Sequence, residues 1–122
     1  TGAFVAVVLA LVRLHKERAL PDWPLRDQVA AVSVGKVGER FLLDLAYGED
    51  SRAAVDLNLV GTARRGIVEI QGTGERESFS RGELDHMLDL AEHGLAHAFS
   101  VQREVLASRL AEAGLAGITT ST

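Results

Sequence analysis

The feature that most constrains the fold of this chain is a pair of short segments in which apolar and polar residues alternate. The segments are RAAVDLNLV at 52–60 and GIVEIQG at 66–72, joined by GTARRG, which begins and ends with glycine. A period of two places alternate side chains on opposite faces of a β-strand, and a glycine-containing connection is typical of a hairpin. The two segments therefore predict an antiparallel pair with one apolar face and one polar face.

The alternation also predicts a register for this pair. If Gly61 pairs with Gly66 across a four-residue loop, like residues lie opposite one another throughout. A shift of either strand by one residue would set polar side chains against apolar ones. The expected cross-strand pairs are Leu59–Val68, Leu57–Ile70, Asn58–Glu69 and Asp56–Gln71. The polar face then carries Asp56, Asn58, Glu69 and Gln71, and Asp50 has the same parity as Asp56, so it is expected to point the same way.

Two further segments extend this hairpin into a sheet. QVAAVSV at 28–34 and RFLLDLAY at 40–47 flank a turn with glycine at both ends, at 35–38. Two short apolar segments around such a turn predict a second hairpin. The two hairpins together predict a four-stranded, mainly antiparallel sheet.

Helices are expected on both sides of the strand segments. Residues 3–19 begin with an apolar run whose length favours a largely buried helix over a strand. Ser80 and Glu83 match a capping box, so a long helix is expected from about residue 81, with Gly94 as a weak point near its middle. Its apolar stripe is expected to contain Leu84, Met87, Leu88, Ala91, Leu95, Ala98, Gln102 and Val105. The predicted fold class is α+β, with an N-terminal helix, four strands and a long C-terminal helix, the helices covering the apolar sheet face.

Composition limits the kinds of protein to which the chain can belong. Its 122 residues fit a single domain, 1–122, and 47% of them are apolar, which is enough for a core. Cysteine is absent, which removes disulfides and fits a reducing compartment such as the cytoplasm. No apolar run reaches the roughly 20 residues of a membrane-spanning helix. The net charge of −4 argues against a nucleic-acid binder unless a local basic patch exists.

The polar face of the first hairpin has two interpretations. Carboxylates fixed on one surface, here Asp50 and Asp56, can hold a divalent cation such as Mg²⁺ or act as general acid and base. An antiparallel sheet also often exposes one polar face to water with no further role. The residue pattern alone leaves both interpretations open.

Other patterns that could carry chemistry have simpler explanations. His93 and His97 have the spacing of a helical metal pair but lack the glutamate of a zincin motif, so a surface pair is expected. GTGERES at 72–78 lacks the lysine of a phosphate loop and fits a strand-to-helix connection. Arg64 and Arg65 fit solvated charges at a hairpin tip.

The longest distinctive blocks resemble a known family. EDSRAAVDLNLV at 49–60 and VEIQGTGERESFSRGELDHMLDLAEHGL at 68–95 closely resemble ribonuclease PH, a phosphorolytic exoribonuclease related to polynucleotide phosphorylase and to the ring subunits of the exosome. The resemblance extends over most of the chain up to about residue 106. Its most specific parts, the D-S-x-x-x-x-D-x-N and E-x-Q-G-T blocks, are both intact here.

The resemblance implies an activity, a cofactor and a site. Such proteins trim RNA 3′ ends, typically those of tRNA precursors: inorganic phosphate is the co-substrate, and a nucleoside diphosphate is released. Asp50 and Asp56 match the family's catalytic and Mg²⁺-binding carboxylates, with Asp56 expected to be the more direct metal or proton-transfer residue. Family members form hexameric rings of dimers, which implies self-association. Asn58, Glu69 and Gln71 are then expected to form a supporting polar face.

One part of the family's site has no counterpart in this sequence. In the family, phosphate is held by an arginine of an N-terminal half and by a Gly-Thr-Arg motif just upstream of the position of Thr1. The chain is therefore expected to be a C-terminal half, to need the N-terminal half as a partner, and to have little or no activity alone. The alternatives are a non-catalytic ring subunit for assembly or RNA binding, and a plain α+β interaction module.

Overall fold

The computed structural model describes residues 1–44 and 52–115, and within them the predicted order of elements is confirmed. The strands form one antiparallel sheet in the order β2–β1–β3–β4, with a helix on either side of them in the sequence, so the fold is α+β. None of the helices in these ranges is both long and apolar enough to cross a membrane. The elements are α1 Gly2–Lys16, β1 Val29–Val37, β2 Arg40–Leu43, β3 Val55–Thr62, β4 Ile67–Gly74 and α2 Arg81–Glu112.

The inner face of the sheet, which is the face that packs against α2, holds the main core. Along β3 buried residues alternate with half-buried ones, as the period of two predicted. Val55, Leu57 and Leu59 point inward and are at most 1% exposed. Burial of each such side chain stabilises the fold by about 1.5–3 kcal/mol. This first cluster consists of Ala30, Val32, Val34, Val55, Leu57, Leu59, Met87, Ala91, Leu95 and Phe99.

The predicted register between β3 and β4 is wrong by two residues, although its parity is right. Leu59 pairs with Ile70 rather than Val68, and Asn58 pairs with Gln71. The loop is one residue longer than expected, since Gly61 pairs with Ile67, and a bulge between Val60 and Gly61 adds a second residue. Two additions of one residue restore the parity, so each side chain keeps its predicted face. The other corrected pairs are Leu57–Gly72 and Asp56–Thr73.

The hairpin of β1 and β2 also differs from the prediction in the position of its turn. Gly35 does not lie in the turn but within β1, where it pairs with Leu42 on one side and Asp56 on the other. Gly38 is the residue with a left-handed φ of +60°, a conformation that glycine adopts without a steric penalty. β1 therefore ends at Val37, three residues beyond the end of the segment 28–34.

Helix α2 begins with the predicted capping box. Ser80 Oγ accepts a hydrogen bond from the Glu83 N–H at 3.1 Å, and the Glu83 carboxylate accepts one from the Ser80 N–H at 2.7 Å. The two bonds satisfy donors that would otherwise lack partners at the helix start. The start of the helix at Arg81 is thus fixed by its own sequence.

The apolar stripe of α2 is confirmed as far as Gln102 and then changes position. Val105 was expected in the stripe but is 53% exposed, whereas Leu106 is 1% exposed. The change occurs where α2 passes the end of the sheet and packs against α1 instead. Gly94 lies within an unbroken helix, and a Cβ there would lie 2.8 Å from Leu43 Cδ1. Glycine at this position lets the helix approach β2 closely.

Helix α1 is not largely buried, contrary to the sequence-based expectation. Its buried residues in the structure are Val8 and Val12, while Val7 is 51% exposed. It packs on the C-terminal half of α2 rather than covering the sheet. The contact forms a second cluster of buried residues, namely Val8, Val12, Leu106, Leu110 and Leu115. Trp23 packs against this cluster.

Strand β4 lies at the edge of the sheet and is exposed along its whole length. Val68 and Ile70 were expected on a buried face but are 60% and 46% exposed. The reason is the path of α2, which packs on β1, β2 and β3. The apolar side chains of β4 therefore lie beyond the cover that this helix provides.

Candidate active site

The polar residues of β3 lie on the outer face of the sheet, opposite to α2. Asp56 and Asn58 are half-buried, and they alternate with the fully buried residues of the first cluster. Asp56 lies opposite Gly35 of β1 and Thr73 of β4. Directly opposite residues have Cβ atoms about 4.5–5.5 Å apart. Because Gly35 has no side chain, only Thr73 places a side chain directly across from Asp56.

Asn58 is oriented by a hydrogen bond across the sheet. Ser33 Oγ on β1 donates to Asn58 Oδ1 at 2.6 Å, and the two residues are directly paired. Gln71 of β4 is paired with Asn58 on its other side. An amide that accepts through its oxygen keeps its NH₂ group for other acceptors. The outer face thus presents a carboxylate and two amides on two neighbouring strands, β3 and β4.

The predicted members of this face do not all lie together. Asp56, Asn58 and Gln71 are neighbours, as expected from parity. Glu69 is on the same face but pairs with Val60, further along the strands from Asp56. Asp50 falls in 45–51, outside the described residues. The carboxylate that the structure places on the outer face near the amides is therefore that of Asp56.

The donor set on this face fits a magnesium ion. Mg²⁺ binds through one or two carboxylates and completes its coordination with water and phosphate oxygens. Asp56 supplies one such carboxylate on a half-exposed surface. Within 1–44 and 52–115 no group of three or more His, Cys, Asp or Glu residues could hold a metal ion. Asp56 would supply a carboxylate ligand at such a site, and water and phosphate oxygens would complete the coordination.

Lys36 is a charged residue on the opposite, inner face of the sheet that sequence reasoning missed. It lies on the inner side of β1 and is 8% exposed, yet its charge is balanced. Its Nζ lies 2.8 Å from Glu77 Oε1 and 2.7 Å from Glu83 Oε1. The hydrogen bonds to Glu77 and then to Glu83 raise the pKa of Lys36. The sequence does contain a signal for it: Lys36 has the same parity in β1 as Val32 and Val34, whose side chains point inward.

Glu83 takes part in both the ion cluster and the helix cap. One carboxylate oxygen accepts from Lys36, and the other accepts from the Ser80 N–H. These bonds, the Lys36 bond first, lower the pKa of Glu83 below its ordinary value of 4.5. The end of β1, the loop before α2 and the first turn of α2 are therefore joined at one point.

The other polar patterns lie away from the outer face. His93 and His97 are exposed on α2, as expected, and His93 Nδ1 lies 2.8 Å from the Asp89 carbonyl oxygen. Arg64 and Arg65 are exposed at the hairpin tip, also as expected, and Arg65 has a φ of +64°. A cleft of about 400 Å³ between this tip and α2 is lined by Leu59, Leu95 and Phe99 among others. It opens on the inner side of the sheet and does not include Asp56.

A comparison with protein families identifies the family to which this chain belongs. The family model described as 3′ exoribonuclease family, domain 2, matches residues 27–94. The match spans more than half of the chain and contains the whole sheet, Asp56 and the start of α2. It confirms the resemblance drawn from the blocks at 49–60 and 68–95. The chain therefore belongs to the 3′ exoribonuclease family and is a C-terminal domain of the ribonuclease PH type.

Proposed function

We propose that this domain supplies the acidic half of the active site in a phosphate-dependent 3′-to-5′ exoribonuclease. The observation that carries the proposal is the position of Asp56. It lies on the outer face of β3, beside Asn58 and Gln71, within the region that matches the family. A carboxylate on a half-exposed sheet face costs little folding energy, because that face can remain in contact with water.

The proposed reaction shortens RNA by one nucleotide. An oxygen of inorganic phosphate forms a bond to the phosphorus of the last phosphodiester, and the bond from that phosphorus to the preceding 3′ oxygen breaks. The 3′ oxygen takes a proton, and a nucleoside diphosphate leaves. Asp56 is assigned either to the proton at that oxygen or to the metal, with Asp50 in support. A Mg²⁺ ion held by these carboxylates would neutralise charge between two anionic reactants.

The amides next to Asp56 have a supporting role in this proposal. Asn58, which Ser33 holds in place, directs its NH₂ group toward other acceptors. Gln71 lies opposite it on β4 and is exposed. Both can hydrogen-bond to phosphate or ribose oxygens at the RNA 3′ end. Glu69, further along the strands, lies outside this immediate group.

A first domain is proposed to hold the phosphate. The net charge of this chain is −4, and no residue of it matches the family's phosphate-binding arginine motif. An acidic face that must receive two anions needs cationic groups close by. We therefore assign the attack of phosphate to a site between this domain and its N-terminal counterpart. The proposed setting is a hexameric ring in the cytoplasm acting on tRNA precursors.

The substitution Asp56→Asn tests the catalytic assignment in a protein that contains both domains. It keeps the shape of the side chain and removes its charge and proton-transfer capacity. We expect kcat for nucleoside diphosphate release to fall about 10²–10⁴-fold, the usual contribution of a general acid or base. Asp89→Asn on exposed α2 makes the same charge change on the other side of the sheet and should leave kcat unchanged. Unchanged turnover and normal assembly in Asp56→Asn would favour the non-catalytic ring subunit.

The 122-residue chain alone provides a second test. Supplied with RNA, inorganic phosphate and Mg²⁺, it should release almost no nucleoside diphosphate, because the proposed phosphate-binding groups belong to another domain. Release is measured by chromatography of the nucleotide products. Rapid phosphate-dependent release from this chain would contradict the assignment of phosphate binding to a first domain.

A further inference from the structure

Lys36 connects three segments that meet around Asp56. Its ammonium group binds Glu77 in the loop after β4 and Glu83 in the first turn of α2. Its own carbonyl oxygen accepts a hydrogen bond from the Ala54 N–H at 2.8 Å, directly before β3 begins. One residue of β1 thus contacts the chain before β3, the chain after β4 and the helix start.

A second backbone bond completes this connection. The Ala54 carbonyl oxygen accepts from the Arg76 N–H at 3.1 Å, so the loop after β4 is bonded to the residue that precedes β3. The loop folds back tightly, since a Cβ on Gly74 would collide with the Glu77 carbonyl oxygen. A side chain bond from Lys36 to Glu77 therefore holds the same loop that Arg76 attaches to Ala54.

Asp56 lies between these bonded segments of β1, β3 and the loop after β4. Its partners across the sheet are Gly35, next to Lys36 in β1, and Thr73, four residues before Glu77. Ala54 is two residues before Asp56 on the same strand. A shift of the loop or of the start of β3 would therefore move Asp56 relative to its neighbours. Lys36 itself lies on the inner side of the sheet, so it does not reach the outer face that carries Asp56.

Burying a lysine at this position has a desolvation cost, which indicates that its charge has a specific role. A charged group on the inner side of a sheet must be desolvated, and an apolar residue of similar size often stabilises such a site equally well or better. The side chain of Lys36 is 11% exposed, against 48% for Glu77 and 28% for Glu83. If the lysine were absent, Glu77 could turn to water, and Glu83 would keep its bond to the Ser80 N–H. Lys36 is therefore the member of the cluster that joins the other two.

We propose that Lys36 is a positioning residue for Asp56, acting through Glu77 and Glu83 rather than by contact with substrate. The proposal rests on the function proposed above. Reactive groups must be held within about 0.5 Å of their productive geometry, and a displacement of about 1 Å can lower a rate on the order of 100-fold. The bonds of Lys36 to Glu77 and Glu83 restrain the position of Asp56 from the inner side of the sheet, which substrate does not reach.

The substitution Lys36→Met tests this in a protein that contains both domains. We expect kcat to fall about 10-fold while KM for RNA changes less than about 2-fold, because the displaced group acts in the chemical step. Lys36→Arg keeps two charge-assisted hydrogen bonds and should restore most of the rate. Lys16→Met, at an exposed lysine of α1 that lies 3.8 Å from Glu112, is the matched control and should have no effect.

Coupling to Asp56 separates positioning from a general structural role. In the Asp56→Asn background, Lys36→Met should lower the residual kcat less than about 2-fold, since the group it positions has already been removed. If the two losses multiply, Lys36 acts independently of Asp56 and the proposal is wrong. If Lys36→Met weakens folding too much, Glu77→Gln leaves the Lys36–Glu83 bond and should show a smaller loss of kcat with the same coupling.

Amide exchange provides a readout that does not depend on activity. Lys36→Met should speed hydrogen exchange at the Ala54 and Arg76 amides about 10-fold, and Lys16→Met should leave both unchanged. Unchanged exchange at these amides overturns the proposal, and so does faster exchange with unchanged kcat. Absence of phosphate-dependent turnover in the unsubstituted protein would instead overturn the proposed function, whatever the exchange data show.

Discussion

The two helices of this domain differ in burial, and the more apolar helix is the less buried one. α1 is apolar at most positions, yet only Val8 and Val12 of its 15 residues are buried. α2 carries many charges, yet eight of its 32 residues are buried, in two successive contacts with the sheet and with α1. Burial depends on which surface a helix meets rather than on how apolar it is. The first cluster is consequently enclosed by sheet and helix, and the second is a contact between two helices.

The largest expected difference between the two clusters is in their response to the same substitution. Leu59→Ala in the first cluster should lower the free energy of unfolding by about 4 kcal/mol, and Leu110→Ala in the second by about 2 kcal/mol. Both side chains are at most 2% exposed, so the transfer contribution is similar. The hydrogen-bonded strands around Leu59 cannot close the cavity, whereas α1 can shift toward Leu110. Urea denaturation measures both values, and equal losses would contradict the comparison.

Charges in the two regions should also respond differently to acid. Glu83 is bonded to Lys36 and Ser80, and its folded-state pKa lies below the ordinary value of 4.5. A depressed pKa gives stability that is present above about pH 4.5 and is lost as pH falls through the folded-state value. Glu83→Gln should therefore make the free energy of unfolding less dependent on pH below 4.5. Glu17→Gln, in the exposed Arg13–Glu17 pair at the end of α1, should change the free energy of unfolding by no more than about 1 kcal/mol. Urea denaturation at a series of pH values provides the measurement, and a pH dependence in Glu83→Gln equal to that of the unsubstituted protein would contradict the prediction.

The smallest expected effect is on the exposed side of α1. Val7→Ser should change the free energy of unfolding by no more than about 0.5 kcal/mol, because Val7 is 51% exposed. Its neighbour Val8 is fully buried, so Val8→Ser should cost about 2 kcal/mol or more. A large loss of stability in Val7→Ser would mean that α1 packs on its outer side as well.

The sequence was sufficient for those features that depend on local chemistry. The capping box at Ser80 and Glu83 was readable because both residues act within one helical turn. The sequence predicted the correct face for Asp56 because a register error of two residues leaves every side chain on the same face. The register itself was not, since Gly61 and Gly66 could equally begin a loop or follow a bulge. A β-bulge has no sequence signal as specific as a helix cap.

Features that depend on distant surfaces could not be predicted in the same way. The apolar run in α1 indicated burial, but it did not indicate how little apolar surface α2 would offer to it. The apolar residues of β4 are exposed for another reason, which is that α2 packs on β1, β2 and β3 and does not cover β4. Lys36 could have been found, because its parity placed it among inward residues and a buried ammonium group requires carboxylates nearby. Asp50, by contrast, was identified from the sequence and lies outside the described residues.

The open edge of β4 has a consequence for the behaviour of the chain in concentrated solution. In the described structure β4 pairs with β3 on one side, so the backbone groups along its other side can serve as a template for further strands. Ile67, Val68 and Ile70 make that edge apolar, and Glu69 is the charged residue among them. A single charge within a short β-prone segment is a common protection against fibril growth. We therefore expect Glu69, first considered as part of the polar face, to oppose the stacking of β4 strands from separate molecules.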